Sequence, residues 1–251
     1  MCRRQNPLTT SNKALYDLQQ WLRDQRMHTG QSYRALSLRA GCHATTLQRA
    51  ASGESVPKLQ TVLNYARACD ASPEEARRLW KRARYEHTRL LRGGRTVPAP
   101  RPELIRDFAD LSAALRDLYE KAGSPSLRTL EQRAGQFGVL PRSTAHRIVT
   151  KQAMPHSRQQ FQAYLRACEV CEPEWPAWEA AWTRAWRYEK QVDLLSVVTE
   201  ENARASELAS FVLAHQHKLT TDHVVAMRLA QHPELAPRFV SQLRRMRDGA
   251  A

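Results

Sequence analysis

The stretch SYRALSLRAGCHATTLQRA, residues 32–50, places two short helix-forming segments around one glycine, and the chain repeats the plan at SLRTLEQRAGQFGVLPRSTAHRIV, residues 126–149. Ser32, Arg34, Leu36, Arg39, Ala40 and Gly41 recur as Ser126, Arg128, Leu130, Arg133, Ala134 and Gly135. Thr46, Arg49 and Pro57 recur as Thr144, Arg147 and Pro155, and Arg67-Ala68-Cys69 recurs as Arg166-Ala167-Cys168. The likeness runs over residues 32–85 and 126–188, longer than the roughly 20–50 residues of a solenoid unit. Each copy is therefore expected to be a small domain, and two copies of a domain mean two copies of one surface.

Working outward, nearly every segment reads as helix. Leu15, Leu18, Trp21 and Leu22 share a helical face that Gly30 ends. Ser32 is suited to cap a helix over Tyr33–Ala40, closed by Gly41. A third helix is expected over 44–51, a fourth from Pro57 with Leu59, Val62, Leu63 and Ala66, and a fifth from Ser72-Pro73-Glu74-Glu75. The second copy predicts helices over 102–121 with Leu104, Phe108, Leu111 and Leu115 on one face, then 126–134, 142–150 and 156–168. The last starts near Pro173 and carries Trp175, Trp178, Trp182 and Trp186, a stripe expected to form a helix–helix seam.

The expected fold class is all-α: two tandem five-helix domains over 1–92 and 104–189, a Gly- and Pro-bearing linker over 93–103, and a helical tail over 190–251. In the tail, Leu195, Val198, Asn202, Ala205, Ala209 and Val212 alternate by three and four, a short seam suited to packing on the second domain or to a homodimer. Thr220-Thr221-Asp222 is expected to start another helix, and Pro233 a further turn before 234–247.

The charge selects the class of partner. The 251 residues hold 39 Lys and Arg against 25 Asp and Glu, a net +14. Residues 1–92 hold 17 basic against 7 acidic residues, whereas 93–189 hold 14 against 11 and 190–251 hold 8 against 7. The first copy thus carries most of the attraction for a polyanion, nucleic acid before anionic membrane. No apolar run approaches the roughly 18–20 residues of a bilayer span, and the basic N-terminus has no apolar stretch behind it. A cytoplasmic, nucleoid-associated protein is the expectation. Five cysteines, Cys2, Cys42, Cys69, Cys168 and Cys171, point to reduced thiols. Cys168-Glu-Val-Cys171 lacks the second ligand pair that a zinc site needs. His215, His217 and His223 read as surface histidines, and Tyr85 and Tyr188, late in a packing helix of each copy, as structural rather than nucleophilic. No Gly-rich phosphate loop, G-x-S-x-G or H-E-x-x-H occurs. No enzyme activity, cofactor, metal or small-molecule ligand is expected.

A short helix, a turn with glycine and a second short helix are the parts of a helix-turn-helix reader of double-stranded DNA. Ala40 and Leu47 are placed to lock the pair together. His43, Ala44, Thr45, Gln48 and Arg49 fall on or near the outer side, with Arg142, Ser143, His146 and Arg147 at the matching places of the second copy. Gln suits adenine, Arg suits guanine, and a Thr methyl suits thymine. Both copies resemble the phage-repressor (XRE) class of helix-turn-helix domain in its actinobacterial form. The resemblance rests on His43-Ala44-Thr45-Thr46-Leu47-Gln48-Arg49 with Pro57, and on Pro141-Arg142-Ser143-Thr144-Ala145-His146-Arg147 with Pro155. It covers about residues 14–88 and 104–189 and implies sequence-specific duplex binding, with transcriptional regulation ahead of DNA maintenance or a protein-docking role. Two departures stand out: four extra residues between Gly135 and Ser143 relative to Gly41 and Thr45, and Ala44 where the second copy has Arg142. The two surfaces are expected to read different sequences.

Overall fold

A computed structural model describes residues 8, 10–92, 98–135, 138–215 and 233–248. The fold is all-α, with no strand among the described residues. The chain divides into two compact units, Met1–Ala185 and Trp186–Ala251.

Five helices surround the first core of the larger unit: α1 (Lys13–Thr29), α2 (Tyr33–Ala40), α3 (Ala44–Ala50), α4 (Leu59–Ala68) and α5 (Pro73–Leu91). Their limits follow local chemistry. The Asn12, Ser32 and Ser72 side chains accept from the backbone N–H groups of Leu15, Ala35 and Glu75, satisfying donors that the first helical turn leaves free. Gly30 and Gly41 close α1 and α2 at φ 63°, the left-handed region that a side chain disfavours. Leu15, Leu18, Leu22, Leu36, Leu47, Val62 and Tyr65 are fully buried together. The Asn12 amide also donates to the Ala83 carbonyl at 3.1 Å, tying the start of α1 to α5.

The second core is bounded by α6 (Phe108–Lys121), α7 (Leu127–Arg133), α8 (Arg142–Val149), α9 (Arg158–Ala167) and the first turns of α10 (Trp175–His215). Here the expected first helix is corrected. Pro102–Leu104 is a 3-10 turn, and the α-helix starts only at Phe108, where Asp107 accepts from Asp110 N–H at 2.8 Å. Leu104 is 65% exposed, and Ile105 takes the core position instead. The Arg184 guanidinium holds this entry by donating to the Ile105 and Pro102 carbonyls, each at 2.7 Å.

Several contacts recur in the two cores. Trp80 Nε1 donates to the Pro57 carbonyl at 2.7 Å, and Trp182 Nε1 to the Pro155 carbonyl at 2.8 Å. Asp70 and Glu169 follow α4 and α9 in left-handed backbone at φ 55° and 58°. Each pairs with the arginine that precedes the turn of its motif, Arg39 at 2.8 Å and Arg133 at 2.7 Å. The tryptophans occupy a seam: Trp178 is buried, Trp175 and Trp182 are half-buried, and Trp182 stacks on Phe161.

α10 continues past residue 190, where the likeness between the two copies has ended. α10 runs unbroken to His215, and no Gly or Pro occurs between 177 and 232. Within the smaller unit, α11 (Ala236–Asp248) buries Phe239, and its Arg238 pairs with Glu201 of α10. Of the expected seam, Ala205 is buried, whereas Leu195 and Val198 are 65% and 41% exposed. The side chains of Ala209, Val212 and His215 lie outside the described residues, as do Cys2, Gly93-Gly94, His217, Thr220-Thr221-Asp222 and His223. No helix among the described residues is long and apolar enough to cross a membrane.

Candidate nucleic-acid interface

α2 and α3 meet across Gly41-Cys42-His43. The Gly41 N–H donates to the Ser37 carbonyl, and His43 is extended at φ −61° and ψ 143° before the chain turns into α3. Within α3, Leu47 and Ala50 face the core, with Ala51 just beyond them. At 100° per residue the opposite face is centred on Thr45 and Arg49, flanked by Gln48 and Thr46, and all four are exposed. His43 is exposed at the helix start, and Ala44 is half-buried. Thr45, Gln48 and Arg49 thus share the outward face, Ala44 sits at its edge, and Thr46 joins it.

Two buried polar side chains anchor the C-terminal end of α3. Arg23, 7% exposed, donates from Nε to the Ala51 carbonyl at 2.8 Å. Gln19, 1% exposed, donates from Nε2 to the Gly53 carbonyl at 2.5 Å. Gly53 N–H closes on the Arg49 carbonyl at 2.7 Å, so close that a Cβ at residue 53 would lie 2.7 Å from that oxygen. These contacts hold a seven-residue helix, too short to be stable alone. The sequence reading missed Gln19 and Arg23. Their signal was present: each directly follows a buried leucine of α1, Gln19 after Leu18 and Arg23 after Leu22, four residues apart.

α8 presents the matching face. Ala145 and Ile148 are buried, and Arg142, Ser143, His146 and Arg147 are exposed. Its surroundings differ. Arg142 pairs with Glu131 of α7, Nε to Oε2 2.9 Å, so one of the four is already paired with an acid, where the first motif has Ser37. The longer turn brings Leu140 into the core at 1% exposure. Its Val139 carbonyl accepts from Gln160 at 3.3 Å.

Basic side chains flank α3, and an exposed acid, Glu54, follows it. Arg34 stands in α2 and Lys58 at the start of α4, both exposed. The ion pair of Arg39 with Asp70 lies at the end of α2 that leads into the Gly41 turn.

Residues 20–79 match the protein-family model described as a helix-turn-helix domain. This stretch carries a helix-turn-helix domain. It spans α2, the Gly41 turn and α3 with most of the helices that support them, and it supports a DNA-binding protein. No curated protein and no solved structure matches the chain. Among the described residues no three His, Cys, Asp or Glu side chains are grouped as a metal site would need.

Proposed function

We propose that this protein binds duplex DNA sequence-specifically and acts as a transcriptional regulator, with α3 of the helix-turn-helix domain in the major groove. The carrying observation is the outward face of α3. Thr45, Gln48 and Arg49 project from a helix whose inner side is fully buried. Arg49 suits guanine O6 and N7, Gln48 suits adenine N6 and N7, and the Thr45 methyl suits thymine. His43 and Ala44 stand at the helix N-terminus, the end that such readers turn to the base edges. Arg34 and Lys58 anchor phosphates on either side.

The recurring tryptophan and arginine contacts favour the second core as another domain of the phage-repressor class, duplicated in tandem. In it α8 reads a different half-site through Ser143, His146 and Arg147, with Arg142 exchanging Glu131 for DNA. An exposed ion pair is worth little, so that exchange costs little. Fluorescence anisotropy on duplex DNA across a salt series tests this reading. Binding that weakens steeply and linearly in log–log form supports it, because each neutralised phosphate releases counterions. Salt-independent or absent binding favours a protein-docking adaptor.

The tail supports a second copy of the chain as a further partner. Tyr188, Val192, Leu195, Thr199 and Asn202 are exposed and repeat by four and three, the spacing of a two-helix seam. Sedimentation of the full chain over a concentration series should show dimers, and monomers at every concentration would remove the partner.

A further inference from the structure

The two cores of the larger unit meet along α5 and α6, and the contact has the marks of a fitted joint. Gly123, at the end of α6 and at φ 91°, lies against the Trp80 ring of α5, where a Cβ would come within 2.6 Å of Cζ3. Tyr85 Oη donates to Asp117 Oδ1 at 2.6 Å. Lys81 pairs with Glu169, which Arg133 holds from its other side. Arg92 pairs with the buried Glu120.

Trp80 also serves the first core through Pro57, but Lys81 and Glu169 link the two cores. The Asp70 carboxylate, one methylene shorter than Glu169, serves only its own Arg39 in the matching place. Glu169 does the same service for Arg133 and also reaches across to Lys81. The joint combines a ring seated on a glycine, a hydrogen bond from a tyrosine to a carboxylate and two ion pairs, spread along α5 and its C-cap from residue 80 to 92. A contact so distributed resists rotation about any one point.

We infer that this α5–α6 joint, rather than the chain between residues 93 and 103, sets the relative position of α3 and α8, and so fixes the spacing of the two DNA half-sites. The spacing role rests on the proposal that both helices read DNA; the rigidity of the joint does not. Two readers on a slack tether accept half-sites at many separations, because effective concentration falls only slowly with linker length. Two readers on a rigid joint accept one separation, about 34–36 Å where the half-sites lie one helical turn apart.

The test uses the full chain with labels on non-canonical amino acids at Thr46 and Thr150, read as a distance distribution without DNA, and a selection on duplexes carrying random spacers. The expected result is one narrow distance and one preferred spacer. Both should survive six Gly/Ser residues inserted between Pro98 and Ala99, and both should broaden in Gly123→Leu. Because that variant can also fail to fold, Lys81→Ala combined with Tyr85→Phe is run beside it, with the same broadening expected. A distance or spacer preference that the insertion broadens, or that none of the joint variants changes, overturns the inference. Selected sites with a single half-site overturn the spacing role and the reading of α8 together, while the DNA-free distances still decide whether the joint is rigid.

Discussion

At the residue scale, the candidate interface depends on buried side chains. Arg23 is a buried cation whose Nε serves the last carbonyl of the recognition helix. Replacing it with Met keeps the packing of the stem and removes the donor. Arg23→Met should destabilise the chain by about 1–3 kcal/mol, as loss of a buried charged hydrogen bond does, measured by urea unfolding. Lys at the same place lacks the planar fork and should rescue little. The thiols divide in the same way. Burial pushes Cys69 up to about 11 and Cys168 up to about 12, so both stay protonated and unreactive at neutral pH. Cys171 is exposed. Iodoacetamide on the native protein, read by peptide mass spectrometry, should modify Cys171 and spare Cys69 and Cys168; equal labelling of all three would contradict their burial.

At the element scale, what was legible in the sequence was whatever a helix writes within one turn of itself. Ser32, Ser72, Gly30 and Gly41 marked ends that the structure keeps. The entry to α6 was misread because Pro102 is as good an opening for a 3-10 turn as for an α-helix. The better signal was Asp107, three residues before Asp110, which caps the true start. The continuity of α10 was legible in the absence of any Gly or Pro between 177 and 232. The joint was not legible at all, since Lys81 and Glu169 lie 88 residues apart and no local pattern links them. That pair gives a pH prediction. Burial works to raise the Glu169 carboxyl, but the Lys81 hydrogen bond and the Lys81 and Arg133 charges outweigh it and hold it below its ordinary value. A depressed carboxyl contributes stability above its unfolded pKa, about 4.3, and loses it as pH falls through the folded one. The spread of the α3–α8 distance should therefore widen on acidification below about pH 4.3, and in Glu169→Gln it should already be wide at pH 7 and respond less to acid.

At the scale of the whole molecule, the charge is carried mainly by the first 92 residues, the part that also holds the helix-turn-helix domain. Phosphate contacts and base contacts should then separate by mutation. Lys58→Ala should weaken binding evenly across sequences and reduce the salt slope by about 1. Arg49→Ala should cost about 1–3 kcal/mol on the preferred site and relax its specificity at one position. The central claim is that the outward face of α3 reads bases. The most direct measurement is a selection of the full chain and of Arg49→Ala on random duplexes at one salt concentration. The native chain should select a defined motif, and the variant the same motif with one position relaxed. An identical motif from both, or no motif from the native chain, would contradict it.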